Sequence, residues 1–413
     1  MGVIRVTHRE MRKILLEPRY LIILFAGIVF SFIFFATITK EGQPTRLSVG
    51  VVDMDGTFLS RRMCHEINAT QGVTVHAVYN NHSEARKAMQ RGEIFAFYEI
   101  PQGTYNDLLQ FRAPHFVLYV NSAYMLAGTL SYKQLATMGM LAGGAVQREV
   151  LRKKGYGEEQ IMGLIQPIEF DTRTIGNPWI NYGDYLMTTL IPALIAFLAI
   201  MHTAYSIARE RQKKTMKSWF RHAEGNKLYA LIGKMLPYTA WYTFLCLVAN
   251  LIMFGFMGFN FEGSWLLMMV NTILLISASQ CAGAFIASCV PEPPLSMGVS
   301  AIYSAISFSL SGFSFPVDSM PTIIYGASWI YPIRHYFLNF CDIAIFDNGF
   351  AYCWPRFCAM MLFFLLPIFG AYMLDWQERK QKKNVEPSNT NPPSTRKDTV
   401  LSVDKLEPTT DAV

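Results

Sequence analysis

Six stretches of the 413-residue chain, at positions 20–38, 185–208, 235–261, 265–290, 295–317 and 357–374, contain no Asp, Glu, Lys or Arg. Each is about 18 residues or longer, the length an α-helix needs to cross the hydrocarbon core of a bilayer at a rise of roughly 1.5 Å per residue. A charge held at the bilayer centre costs several kcal/mol, so six such runs in one chain argue against a soluble fold. Composition agrees, with 52% of residues apolar and only 16% charged, against about a quarter charged in soluble proteins. The expected fold is a polytopic α-helical membrane protein with six transmembrane helices. The net charge of +6 calls for no nucleic-acid partner, because in such a chain the placement of Lys and Arg carries the information.

Placement gives an orientation. The segment after the second run holds Arg209, Arg211, Lys213, Lys214, Lys217, Arg221 and Lys227 against Glu210 and Glu224, and the segment after the sixth opens with Arg379, Lys380, Lys382 and Lys383. Basic short loops stay in the cytoplasm, and the turn with Glu262 and no Lys or Arg falls on the other side. The first run follows Arg5, Arg9, Arg12, Lys13 and Arg19. It is too long for a signal-peptide core and has no small-residue cleavage site behind it, so it reads as a retained span. Both termini are expected in the cytoplasm. The organisation becomes an amphipathic cytoplasmic helix at 1–18, a span at 19–38, an extracytoplasmic domain at 39–183 and a second span at 184–208. A cytoplasmic loop at 209–227, three spans within 228–317, re-entrant helices at 318–355, a sixth span at 356–375 and a disordered cytoplasmic tail at 376–413 complete it.

The period changes inside 39–183. Alternating, β-branched runs at 46–53, 73–79, 94–100 and 115–120 are separated by helical spacing at 57–69, 83–91 and 103–111. Alternation of this kind predicts an inserted α/β layer with a partly parallel sheet. An unbroken helical pattern at 124–154 predicts a stalk of roughly 45 Å. In 318–355, Pro321, Pro332 and Arg334 interrupt an apolar stretch. Two short helices that enter and leave the interface fit better than a seventh span, which would put the basic tail outside.

Chemistry is sparse. No GxxxxGK[ST] loop is present, and Gly233-Lys234 is followed by Met235 at the mouth of a span, so the chain is expected to bind no nucleotide. A GxSxG elbow, an HExxH helix and paired carboxylates within the spans are also missing, so catalytic residues and metal ligands are expected to be none. The seven cysteines are scattered singly, with Cys341 and Cys353 the one candidate bridge, and His202 reads as a packed residue. Two features carry more. Met216, Trp219 and Phe220 share one face of a short helix and Lys213, Lys217 and Arg221 the other, a pattern equally suited to docking on a partner or resting on anionic headgroups. At the amino terminus Ile4, Thr7, His8, Met11 and Leu15 form one stripe opposite Arg5, Arg9, Arg12 and Lys13, which favours a helix lying on the headgroups. The fifth run is dense in small residues, including Ser304, Ser311 and Gly312, which places it at a helix or subunit interface. Asn250, Asn271 and Gln280 add amides within the third and fourth runs, for interhelical hydrogen bonds or a substrate path.

These parts occur in a familiar order. The strand Leu47-Ser-Val-Gly-Val-Val-Asp53, the entry Gly233-Lys234-Met-Leu-Pro237-Tyr238, Ser311-Gly312-Phe-Ser-Phe-Pro316 followed by Met320-Pro321, and Tyr331-Pro332 are the residues that carry it. The chain resembles the permease subunits of ABC exporters of the second type (ABC-2, or type V), in the bacterial branch with a large extracytoplasmic domain between the first two spans. The resemblance implies the ABC-2 exporter fold in the inner membrane, export of an amphipathic or lipid-like substrate, and a second permease chain, identical or paralogous. It further implies an ABC ATPase dimer that binds ATP and Mg, a periplasmic adaptor as a further candidate partner, and contact with membrane lipids. ATPase coupling would fall to Glu210, Thr215, Met216, Trp219 and Phe220. One departure stands out, since Lys214 occupies a position that is usually glycine in the family. The competing class is a non-transporting envelope assembly or sensor protein whose external domain binds a partner; six spans and a basic docking loop favour transport.

Overall fold

The computed structural model describes residues 2–16, 18–110, 112, 114–166 and 171–385. The segment 386–413 of the expected disordered tail lies outside the described residues. Two helices open the chain, α1 (Gly2–Leu16) and α2 (Pro18–Ile38). An α/β unit follows, comprising β1 (Leu47–Asp53), α3 (Phe58–Asn68), β2 (Val73–Tyr79), α4 (His82–Gln90), β3 (Ala96–Ile100), α5 (Thr104–Leu109) and β4 (Val117–Val120). Then come α6 (Met125–Lys153), α7 (Glu158–Ile165), α8 (Tyr182–Gln212), α9 (Met216–His222), α10 (Lys227–Asn250), α11 (Trp265–Cys289) and α12 (Pro293–Ser309). The chain closes with α13 (Thr322–Ser328), α14 (Pro332–Phe340), α15 (Phe350–Leu362) and α16 (Leu366–Val385).

The inserted unit has the expected alternation. Its sheet runs β2-β1-β3-β4, with β1 parallel to both neighbours and β4 antiparallel to β3. Side chains at the ends of α3 and α4 make the local decisions: Thr57 accepts from Ser60 N and Asn81 from Glu84 N, each satisfying an otherwise orphaned helix amide. The first half of α6 lies over the sheet, burying Gly128, Ser131 and Leu135. At Gly139 a Cβ would stand 2.3 Å from the Tyr98 hydroxyl, so the missing side chain is what lets the helix sit there. The helix runs unbroken to Lys153, matching the helical pattern expected at 124–154. After it Gly155 takes φ +87°, and α7 turns back on α6, burying Ile161 and pairing Glu158 with Arg148 at 3.1 Å.

Among the described residues four helices are long and apolar enough to cross a membrane: Tyr182–Gln212, Lys227–Phe256, Trp265–Cys289 and Phe350–Lys380. Of the two remaining expected spans, the first falls on the 21-residue α2, apolar over Phe25–Ile38 among the described side chains, and the fifth on the 17-residue α12. Helix α12 ends at Ser309 and not near 317, because the chain turns at Gly312, whose φ of +97° suits glycine and few other residues. The re-entrant expectation corresponds to α13 and α14, both short and both starting beside a proline. Residues 376–385, expected to be disordered, continue α16 as helix. Cys341 and Cys353 are both free thiols.

Helix α8 is central to the bundle, with most of its residues buried against α11, α12, α10 and α2. Its approach to α11 is limited by backbone, since a Cβ on Gly283 would fall 2.6 Å from Ile200 O. Small residues at helix contacts matter within lipid, where packing drives association. Gly283→Val is therefore expected to destabilise the detergent-solubilised protein by about 1–3 kcal/mol through overpacking, read as a lower Tm by tryptophan fluorescence. Gly163→Val, at a position with open space, serves as the control that leaves Tm unchanged.

Candidate functional site

At one end of the bundle the amino-terminal helix, the ends of α8 and α10, and the short helix α9 converge. Helix α1 turns a stripe of Gly2, Val6, Glu10 and Ile14 inward at four-residue spacing, whereas Ile4, His8, Met11 and Leu15 are exposed. The expected apolar stripe thus faces away from the protein, and a second stripe carrying one carboxylate faces in. Glycines permit the close fit. A Cβ at Gly233 would stand 2.7 Å from Val3 O, and one at Gly2 would stand 3.1 Å from the Ala223 backbone. Thr7 Oγ1 donates to the Gly233 carbonyl at 3.0 Å.

Lys234, adjacent to that glycine, is 1% exposed. Its Nζ lies 3.0 Å from Glu10 Oε1 and 3.0 Å from Glu210 Oε1, so it bridges α1 and α8 from a third helix. Arg9 Nη2 donates to both oxygens of Glu210 at 3.1 and 3.0 Å, and Lys13 Nζ to Oε1 at 2.9 Å. The Tyr238 hydroxyl donates to Glu10 Oε2 at 3.4 Å. Thr215, the residue that opens α9, donates its hydroxyl to Glu210 Oε2 and its backbone N–H to Glu210 O at 2.9 Å. Three cations and two carboxylates are thereby held together by segments up to 224 residues apart in sequence. Buried charges are tolerable only when paired and hydrogen-bonded, and here every carboxylate has at least two donors.

Helix α9 is fixed to this cluster by its aromatic face. Trp219 and Phe220 are buried and stack at 5.1 Å between ring centroids. Lys234 Nζ sits 5.0 Å from the Trp219 ring centroid, and Lys227 Nζ sits 3.8 Å from that of Phe220 while ion-pairing with Glu378 on α16. Arg211 donates to the Ala287, Ser288 and Val290 carbonyls at the end of α11 and to Gln377 on α16. Those carbonyls have no partner within their own helix, so the guanidinium serves as a cap. Ends of α8, α10, α11 and α16 are thus tied to α1 and α9.

Residues 18–373 match the family model described as "ABC-2 family transporter protein". The chain belongs to the ABC-2 transporter family. Relatives include the "Probable multidrug ABC transporter permease YbhR" of Escherichia coli K12, 22% identical over 79% of this chain and 85% of the relative. The "Inner membrane transport permease YhhJ" of the same strain is 23% identical over 86% of this chain and 91% of its own length. "Probable multidrug ABC transporter permease YbhS" is 22% identical over 79% and 84% respectively.

In this ABC-2 protein the residues expected to couple to a motor come together. Glu210 and Thr215 are in the ionic cluster, and Met216 packs at the edge of the main apolar core. Trp219 and Phe220 were expected on a face offered outward; both instead face the protein's own spans, and the exposed face of α9 carries Lys217, Ser218, Arg221 and His222. Lys214, at the usual glycine position, takes φ +56°, so the tight turn is kept by a residue that bears the strain.

The residues expected at an interface or substrate path make these contacts within the chain. Asn250 Nδ2 donates to Thr272 Oγ1 at 3.3 Å, Asn271 Nδ2 to Tyr336 O at 3.1 Å, and Thr239 to Gln280. Ser304 sits with Ser296, Ser300 and Ser307 on the buried face of α12 against α8, and with Ser279 it lines a small cleft beside Phe197 and Phe308. Ser311 and Gly312 form the turn after α12, Ser311 Oγ bonding Phe308 O at 2.7 Å. His202 is packed, with Nδ1 3.1 Å from the Tyr242 hydroxyl. Sequence reasoning missed Arg9, Glu10, Lys13 and Lys234 as a unit. The available signal was Glu10, the one acid on a basic helix, at four-residue spacing from Val6 and Ile14.

The charge balance of the cluster predicts an order of effects. Glu210→Gln leaves three cations facing one carboxylate and should cost about 3–5 kcal/mol, the range for breaking a buried pair. Lys234→Met leaves two of each and should cost less; the Tm of the two purified variants compares them directly. Lys214→Gly should raise stability by up to about 1 kcal/mol by relieving the left-handed conformation, seen as a higher Tm.

Proposed function

We propose that this chain is the membrane-spanning permease subunit of an ATP-driven exporter, with six spans, both termini in the cytoplasm and the α/β unit outside it. In this reading a separate ABC ATPase dimer supplies ATP and Mg chemistry, and a second permease chain, identical or paralogous, completes the pathway. The observation that carries the proposal is the cluster of Glu10, Glu210 and Lys234 beneath α9, because it makes a short surface helix mechanically continuous with the spans. A motor that shifts α9 moves Trp219 and Phe220, and through them α10; Thr215 and Glu210 carry the same displacement to α8.

Nucleotide moves such an equilibrium only by as much as its affinity differs between the two states, so a loosely held helix would waste the difference. The exposed Lys217 and Arg221 face of α9 suits an acidic docking groove. A multidrug permease and an inner membrane transport permease among the relatives support a drug-like substrate and a bacterial inner membrane location; within this reading the substrate class is amphipathic, a drug, a lipid or an envelope component.

Two variants test the division of labour. Lys217→Glu with Arg221→Glu should abolish co-purification of the ATPase while leaving Tm unchanged. Trp219→Ala with Phe220→Ala should abolish transport in reconstituted vesicles while membrane insertion persists, because α9 then moves without pulling on α10. Wild-type transport in both would remove α9 from the mechanism.

A further inference from the structure

Arg334 is 3% exposed, yet among the described residues it forms no ion pair. The one carboxylate whose field reaches it, Asp318, is exposed to solvent and lies beyond ion-pair distance. Its guanidinium carbon instead lies 4.7 Å from the Trp329 ring centroid and 5.0 Å from that of Tyr325, whose side chain also reaches it as a hydrogen-bond partner. Among its N–H groups Nε is buried with no acceptor. The other guanidinium nearby, Arg356, is already matched by Asp342 and reaches Asn339.

Position in the helix sharpens the anomaly. Arg334 is the third residue of α14, whose first turn contains no acid. A helix amino terminus bears partial positive charge, so a cation there is disfavoured and an anion is favoured. The next residue adds a further buried polar atom, since His335 donates Nε2–H to Trp329 O at 3.0 Å and Nδ1 has no partner. A buried guanidinium with one unpartnered N–H therefore stands in the first turn of a helix, and each feature favours an oxyanion. The cover is slight: α13 and the residues after it expose Ile323, Ile324, Tyr325, Trp329 and Ile330, an apolar rim suited to acyl chains.

We propose that Arg334, with the amino terminus of α14, binds the phosphate of an amphipathic ligand whose chains lie along the apolar surface of α13. The site is separate from the Glu10–Glu210–Lys234 cluster. The phosphate belongs either to a membrane phospholipid or to a free anion that enters alone, and the experiment distinguishes the two. Location on the outer side of the membrane rests on the proposed orientation; binding itself does not, because it needs neither motor nor transport.

The test uses the full-length chain purified in neutral detergent, with Tm followed by tryptophan fluorescence during titration with phosphatidylglycerol, diacylglycerol or inorganic phosphate. Phosphatidylglycerol is expected to raise Tm by about 2–4 °C near saturation and diacylglycerol to leave it unchanged. An equal rise with inorganic phosphate identifies a free-anion site; no rise identifies the lipid. Arg334→Gln should abolish the shift, and Arg334→Lys, which keeps the charge and loses the fork, should weaken apparent affinity several-fold and covers the case in which the glutamine variant does not fold. A shift that persists in either variant at wild-type affinity, one reproduced by diacylglycerol, or none in the wild type overturns the proposal. Any of these results leaves the transport reading intact, since ATPase association through α9 is measured separately.

Discussion

Lys234 stands on a span, out of reach of water, with a carboxylate from the amino-terminal helix on one side and a carboxylate from the end of α8 on the other. Removing an ammonium group from water costs several kcal/mol, and only the paired carboxylates make that position tolerable. Much follows from this constraint. Helix α1 cannot lift away without stranding Glu10, Glu210 cannot withdraw without unbalancing Arg9 and Lys13, and α9 cannot tilt freely because Thr215 is bonded to the same carboxylate. Aromatic contacts extend the connection, with the lysine also close to the Trp219 ring.

The opposite end of the bundle is organised differently. There the chain uses turns and backbone contacts: Glu262 N bonds Ala344 O, Tyr185 donates to Phe313 O, and Tyr303 donates to Ile330 O. Short helices α13 and α14 are held by such bonds and by aromatic packing, and Arg334 remains without a countercharge among them. At one end the buried charges are matched by opposite charges, whereas the other retains a buried cation without one.

Legibility in the sequence followed the range of the interactions. The α/β alternation from Leu47 to Val120 was readable because strand and helix periods are local and the caps Thr57 and Asn81 lie beside the helices they start. The two short helices α13 and α14 were readable because Pro321 and Pro332 stand at their starts, where proline cannot continue a preceding helix. The end of α12 was misjudged by several residues because Leu310 to Pro316 is as apolar as the helix before it, and the stop depends on backbone conformation at Gly312. Within the site, Glu210 and Thr215 were recognised in one loop, but Glu10 and Lys234 are 224 residues apart, and Glu10, though the one acid on its helix, gives no sign of which distant cation it meets.

The sequence by itself determined that this chain belongs in a membrane, where its helices and strands begin, and which segments concentrate positive charge. These properties depend on solvation and on neighbours within a few positions. Only the tertiary structure decided which of two stripes on α1 faces the protein, that Trp219 and Phe220 turn inward while Lys217 and Arg221 turn outward, and that Arg334 is buried without a carboxylate. A periodic pattern defines a face but not what meets it, and the pairing of a buried charge is settled by distance in space, to which separation along the chain is no guide.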